Sequence, residues 1–253
     1  MRVDTGDSVG IGGFIITGSG PKEVLIRGIG PSLTGFGVAN ALADPVLELH
    51  GAGAFVTRTN NNWRDTQENA IADTGIPPTN DLESAILVTL DPGAYTAIVS
   101  GNGNTAGVAL VEVYDLDQAA LSKLGNISTR AFCGTGTDIV IAGFMLGNGG
   151  GDDRVVVRGL GPSLTAFGVP NALANPTLEL RNGDGTLLIS NNDWEDNPAQ
   201  AAEISAAGLA PSNALEAAIA ATLSPGAYTA LLAGLNDGTG IGLVEVYDRG
   251  GGL

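Results

Sequence analysis

The chain carries the same run of residues twice, and this repetition constrains its fold more than any other feature. Val24-Leu25-Ile26-Arg27-Gly28-Ile29-Gly30-Pro31-Ser32-Leu33 returns as Val155-Val156-Val157-Arg158-Gly159-Leu160-Gly161-Pro162-Ser163-Leu164, an offset of 131. Phe36-Gly37-Val38 and Leu47-Glu48-Leu49 return at the same offset, and Trp63 matches Trp194. Beyond the tryptophans the offset becomes 133, so that Pro92-Gly93-Ala94-Tyr95 matches Pro225-Gly226-Ala227-Tyr228 and Leu110-Val111-Glu112-Val113-Tyr114 matches Leu243-Val244-Glu245-Val246-Tyr247. The length changes fall in Gly-, Asn- and Asp-rich stretches, where surface loops tolerate insertion. A period of this kind describes one module written in tandem.

Within each copy the apolar segments are short, rich in Val, Ile and Leu, and bounded by Gly, Pro, Asn or Asp, the pattern of strands in a sandwich or barrel. Strands are expected near 10–17, 22–29, 45–50, 54–59, 83–90, 94–100 and 107–114, and at the matching positions of the second copy. Alternation in Val46-Leu47-Glu48-Leu49 and Val111-Glu112-Val113-Tyr114 assigns these strands one buried and one wetter face. One short helix per copy is expected, over 66–73 and 197–207, closed by Gly75 and Gly208. Gln118 to Leu124 is read as a helical turn inside a short linker, 118–128, between repeats at 1–117 and 129–253.

The run from Pro176 through Asp184-Gly185 and Asn191-Asn192-Asp193-Trp194 to Pro225-Gly226-Ala227-Tyr228 is similar to the bacterial pre-peptidase C-terminal domain, a β-sandwich beside catalytic domains in secreted proteins. The whole repeat resembles tandem β-sandwich modules of exported bacterial proteins. The resemblance implies a fold and an extracellular or cell-surface setting, and no chemistry. The fold expected is all-β: two tandem jelly-roll-like antiparallel β-sandwich domains, each with at most one short helix.

The formal charge of −16 divides evenly between the copies, which leaves no basic face to track phosphates and speaks against nucleic-acid binding. Cys133 is the only cysteine and His50 the only histidine, so triads and typical zinc sites have no residues to form from. No run of 18 apolar residues occurs, and no charged segment followed by an apolar core opens the sequence, so a signal peptide is expected to be absent or removed and no membrane insertion is expected.

Two loops hold the candidate sites. Asn61, Asn62 and Trp63 in one copy, and Asn192, Asp193 and Trp194 in the other, place an indole beside amides and a carboxylate, a set suited to stacking on a sugar ring. Asp193, Glu195 and Asp196, with Asp65 in the first copy, are candidate oxygen ligands for Ca²⁺, which takes six to eight. The alternatives are that Asn and Asp satisfy turn backbone and that each indole caps the core. Arg27 and Arg158 sit in apolar strands and need partners, for which Glu83 and Glu216 are the expected acids. Glu48/Glu179 and Glu112/Glu245 are read as solvated strand residues rather than a glycosidase pair.

One asymmetry remains. The second copy is preceded by Asn126-Ile127-Ser128-Thr129-Arg130, an extended lead-in, whereas Met1 of the first aligns with Ala131. If that lead-in is a strand, the first copy has an open edge, which invites strand addition; a sequence cut from a longer array explains the same asymmetry. The function expected is non-enzymatic: an extracellular structural or adhesive protein that self-associates or joins other surface proteins, with assembly head to tail into a filament by edge-strand pairing. The alternative is a carbohydrate-binding module pair acting on polysaccharide.

Overall fold

The short β-branched runs become strands wherever their alternation places one face against a core. The computed structural model describes residues 1–5, 9–147 and 151–251. The chain divides into two units, Met1–Gly125 and Asn126–Leu253.

The first unit comprises β1 (Arg2–Val3), β2 (Gly10–Gly18), β3 (Lys22–Ile29), β4 (Pro45–Gly51), β5 (Arg58–Asn60), helix α1 (Glu68–Asp73), β6 (Ser84–Leu90), β7 (Gly93–Gly101), β8 (Gly107–Val108) and β9 (Leu110–Asp115). The strand β10 (Ser122–Cys133) crosses the unit boundary. The second unit continues with β11 (Val140–Leu146), β12 (Asp153–Leu160), β13 (Pro176–Asn182), β14 (Leu187–Asn191), helix α2 (Pro198–Ala206), β15 (Ala217–Leu223), β16 (Gly226–Gly234) and β17 (Gly240–Gly251).

The pairing in the second unit is that of a rolled hairpin. The first strand, β10, pairs with the last, β17; β11 pairs with β16, β12 with β15, and β13 with β14, all antiparallel. Two four-stranded sheets result, β15-β12-β17-β10 and β11-β16-β13-β14, which is a jelly-roll sandwich. The first unit repeats the scheme through β2–β7, β3–β6 and β4–β5. Its first strand, however, is only β1, which pairs with β8 at Arg2↔Val108 and Val3↔Gly107.

Phe14, Ile16, Val24, Ile26, Leu47, Leu49, Ala97 and Val99 fill the first sandwich, and Phe144, Val155, Val157, Leu178, Leu180, Ala230 and Leu232 fill the second. The third strand of each unit is buried on both faces. On its outer face Leu25 packs with Trp63, Ile71 of α1 and Ala85. In the second unit Val156 packs with Ile204 of α2, Ala218 and Ala220, with Trp194 laid against them. Each indole therefore covers the outside of a sheet together with the helix, rather than closing an end of the sandwich. The Pro-Gly-Ala-Tyr turns are tied from within: Tyr95 donates its hydroxyl to Asp91 O at 2.9 Å and Tyr228 to Ser224 O at 2.7 Å. Their rings stack on Phe14 and Phe144 with centroids 5.4 and 5.5 Å apart.

Three local expectations change. Residues 54–57 are not strand, because Phe55 N–H bonds to Ala52 O in a turn before β5 begins. Gln118 to Leu124 does not form a helical turn: Leu121 O accepts from Ser19 N–H, Ser122 opens β10, and the expected linker is strand from that residue onward. A helix there would have had no apolar stripe to bury, whereas the extended form has a neighbouring strand to bond.

The third correction concerns Glu83 and Glu216, which do not pair with the strand arginines. Glu83 is fully buried and its Oε1 accepts from Gly30 N–H at 3.1 Å, Ser32 N–H at 3.0 Å and Ser32 Oγ at 2.6 Å. Glu216 holds Gly161 N–H, Ser163 N–H and Ser163 Oγ in the same way, at 3.0, 3.0 and 2.5 Å. The carboxylate replaces solvent for backbone donors at the start of the 3-10 turns Pro31–Phe36 and Pro162–Phe167. The turn also needs its glycine, since a Cβ on Gly30 would lie 2.2 Å from Leu42 O, and one on Gly161 2.1 Å from Leu173 O. Replacing Glu83 by Ala strands two backbone N–H groups, so E83A is expected to lower stability by roughly 1–3 kcal/mol. E216A should do the same, and an unchanged urea midpoint in both would remove the carboxylate from its anchoring role.

Candidate functional site

The strand arginines find their acids one strand away. Arg27 on β3 donates from Nε and Nη2 to Glu112 Oε2 on β9, at 2.8 and 2.5 Å, and from Nη2 to Tyr114 Oη at 2.9 Å. Tyr114 in turn donates to Glu112 Oε1 at 2.9 Å. Arg158, Glu245 and Tyr247 repeat this on β12 and β17 at 2.8, 2.5, 3.1 and 3.0 Å. Direct opposition in the register, Arg27↔Glu112 and Arg158↔Glu245, puts each pair on one face of the sheet. Every polar atom of these clusters is committed to its neighbour, and the arrangement clamps the third strand to the eighth. Burial, then the adjacent Glu112 charge, raises the Tyr114 phenol above its ordinary value; Tyr247 is raised by burial and Glu245.

The candidate sugar and metal loops fold around their first asparagine. Asn60 Oδ1 accepts from Ala85 N–H at 2.9 Å and its amide donates to Asn62 O at 2.9 Å. Asn191 does the same with Ala218 N–H and Asp193 O at 2.8 and 3.0 Å. Trp63 is 3% exposed and Arg64 lies over its ring at 4.1 Å, so the expected stacking face at Trp63 is already covered. Trp194 is half-buried against Ile204, Ala218 and Ala220, with Glu195 where the first copy has Arg64. A cleft of about 460 Å³ in the second unit is lined by Asn192, Asp196, Asn197 and Gln200, and the indole of Trp194 does not line it. Asn61, Asn62, Asn192 and Asp193 stay at the loop, half-buried. Asp65, Glu195 and Asp196 are exposed, and among the described residues no three Asp, Glu, His or Cys side chains converge as a metal-ligand set.

The remaining candidate is the edge of β9. Asn126 to Arg130 is a strand, with Asn126↔Tyr247, Ile127↔Val246, Ser128↔Glu245, Thr129↔Val244 and Arg130↔Leu243. Under this cover Val244 and Val246 are 0% and 4% exposed. In the first unit β1 reaches no further along the eighth strand than β8, and β9 pairs only with β3 among the described residues. Val111 and Val113, the twins of Val244 and Val246, are half-exposed, and Leu110 is 39% exposed. Fully burying a valine stabilises by about 1.5–3 kcal/mol, so this edge leaves part of that at two positions, along with unpaired backbone.

A second edge complements it. Residues 122–125 of β10 run beside β2, with Gly125 against Thr17 and Ser122 against Gly18. The twin of β2 is β11, which among the described residues pairs only with β16. Ile141 and Met145 are 49% and 81% exposed on β11. Sequence reasoning points to the first edge through the extended pattern of 126–130. It misses the second, whose signal is the apolar Ile141 and Met145 at the exposed positions of an alternating strand.

No family model and no curated protein matches the chain. Solved structures similar to it include a crystal structure of the STIV MCP, with TM-score 0.26 and 12% identity over 98% of this chain and 93% of that one. The atomic structure of Sulfolobus Turreted Icosahedral Virus gives 0.25 and 12% over 98% and 88%. Likenesses this slight carry no argument, and the jelly-roll assignment rests on the strand pairings themselves.

Two outcomes test this geometry. Amide exchange across 110–114 should be at least about tenfold faster than across 243–247 in the same molecule; equal protection would mean that β9 is covered. Because the folded Tyr114 and Tyr247 phenols lie above their ordinary value of 10.0, their contribution is complete below that pH and is lost as pH rises through the folded value. Urea midpoints between about pH 9 and 11 should therefore fall more steeply for the native chain than for a Tyr114→Phe, Tyr247→Phe variant.

Proposed function

We propose that this is a non-enzymatic structural or adhesive protein of the cell exterior, whose modules join head to tail through their edge strands. The observation that carries the reading is the β9 edge, where Val111 and Val113 stay half-exposed while their twins are buried under Asn126–Arg130. Within the first unit residues 122–125 lie along β2, and within the second Asn126–Cys133 lies along β17. Among the described residues the uncovered twins of those two strands are β11 and β9, two unlike edges. Unlike edges of this kind make heterologous contacts, which propagate rather than close. The acidic charge keeps such a chain soluble between contacts. Asn60 and Asn191 of the loops and the Arg-Glu-Tyr clusters are engaged in holding strands and turns, which favours an architectural role over a catalytic one.

Sedimentation velocity over rising protein concentration tests the proposal. Species larger than a monomer are expected, and Val113→Lys with Met145→Lys, placing charge on both edges, should abolish them. A native chain that stays monomeric at every concentration would sink self-assembly.

A further inference from the structure

The β9 edge has a shape and a chemistry that name its occupant. The second unit shows what lies along this edge when it is closed: an extended segment, antiparallel to the eighth strand, with Ile127 and Thr129 opposite Val246 and Val244. Residues directly opposed in an antiparallel pair share a face, so the β-branched Ile127 and Thr129 complete the inner layer. Asn126, 6% exposed, adds a side-chain bond from Nδ2 to Val246 O at 3.0 Å.

Every acceptor feature recurs on β9. Val111 and Val113 stand where Val244 and Val246 do, Glu112 is fixed by Arg27 as Glu245 is by Arg158, and Tyr114 holds the position of Tyr247. The direction of approach is also set. Met1 N–H₃⁺ donates to Ala109 O at 2.8 Å and Ala109 N–H donates to Met1 O at 2.9 Å, which seats Met1 as Ala131 is seated opposite Gly242. A segment continuing that line runs along β9.

We infer that the β9 edge is a binding groove for an extended segment patterned as Asn-Ile-Ser-Thr-Arg and borne by an adjoining module of this same kind. It docks antiparallel, with its isoleucine opposite Val113, its threonine opposite Val111 and its asparagine amide on Val113 O. Backbone pairing holds the segment, and the two inward positions select it, because a shift of one residue turns its β-branched side chains out to solvent. The inference rests on the assembly reading for its setting and specifies what fills the joint.

The test extends the chain by Asn-Ile-Ser-Thr-Arg directly before Met1 and compares amide exchange over 110–114 with that of the unextended chain. About tenfold slower exchange is expected, with 243–247 unchanged as the internal reference. A second extension carrying Asp in place of the Ile and the Thr controls for mere length and should give no protection. Protection by both extensions, or by neither, overturns the inference. A free peptide of sequence Lys-Leu-Gly-Asn-Ile-Ser-Thr-Arg, added to the unextended chain, should slow the same amides in proportion to its concentration; no effect at millimolar peptide while the tethered form protects would exclude donation from a separate molecule. The assembly reading stands or falls separately: protection in a chain that remains monomeric upholds the groove and removes direct edge-to-edge contact, and assembly without protection does the reverse.

Discussion

Each module depends on pairing its first strand with its last. A jelly roll is a long hairpin wound on itself, and this pairing is the seam that brings its two ends together. In the second unit the seam runs from Asn126 to Cys133 along β17. In the first it comprises Arg2 and Val3 against β8. The difference reaches from backbone to core: where the seam is full, the inward valines of the eighth strand are dry, and where it is short they are not. An unpaired sheet edge is a template for another strand, and among the described residues the short seam leaves β9 paired on one side alone.

The charged groups inside the modules serve position. Each third strand is buried on both faces and carries an arginine in its apolar stretch, Arg27 or Arg158, and a lone guanidinium there would be costly. The acid opposed to it and the tyrosine beyond satisfy it through the same sheet register. The buried glutamates act differently, gathering backbone donors that the Gly-x-Gly-Pro turn has left without strand or helix partners. Both devices occur in both copies, at residues whose spacing changes by two between the copies. Their persistence across that change follows from the sheet, which fixes opposition by pairing rather than by distance along the chain.

Much of the fold was legible in the residues because a period-2 apolar pattern and a 131-residue offset are local properties of the chain. Strands β2, β3, β4, β6 and β7, helices α1 and α2 and their glycine stops lie close to their expected places. The burial of Cys133 follows from its alignment with Val3, and both are fully buried. The errors have a common origin. Glu83 was matched to Arg27 because an acid and a base in neighbouring strands suggest an ion pair, but register places Glu112 opposite Arg27 and leaves Glu83 beside a turn. Trp63 offered a sugar-stacking face only so long as the position of α1 and of Arg64 was unknown. For the acids of the Asn loops, closeness in sequence leaves open whether side chains converge; among the described residues no three Asp, Glu, His or Cys side chains do.

The sequence by itself determined that two like modules follow one another, that each is built of short antiparallel strands, and that an extended segment, Asn126–Arg130, leads into the second. These are matters of alternation, punctuation and alignment, which a linear text records in full. Tertiary structure alone decided that the lead-in lies along the eighth strand, which valines it buries, and which acid meets which arginine. Those are outcomes of long-range register, and register is set by how distant strands settle against one another across a common core rather than by any residue's neighbours in the chain.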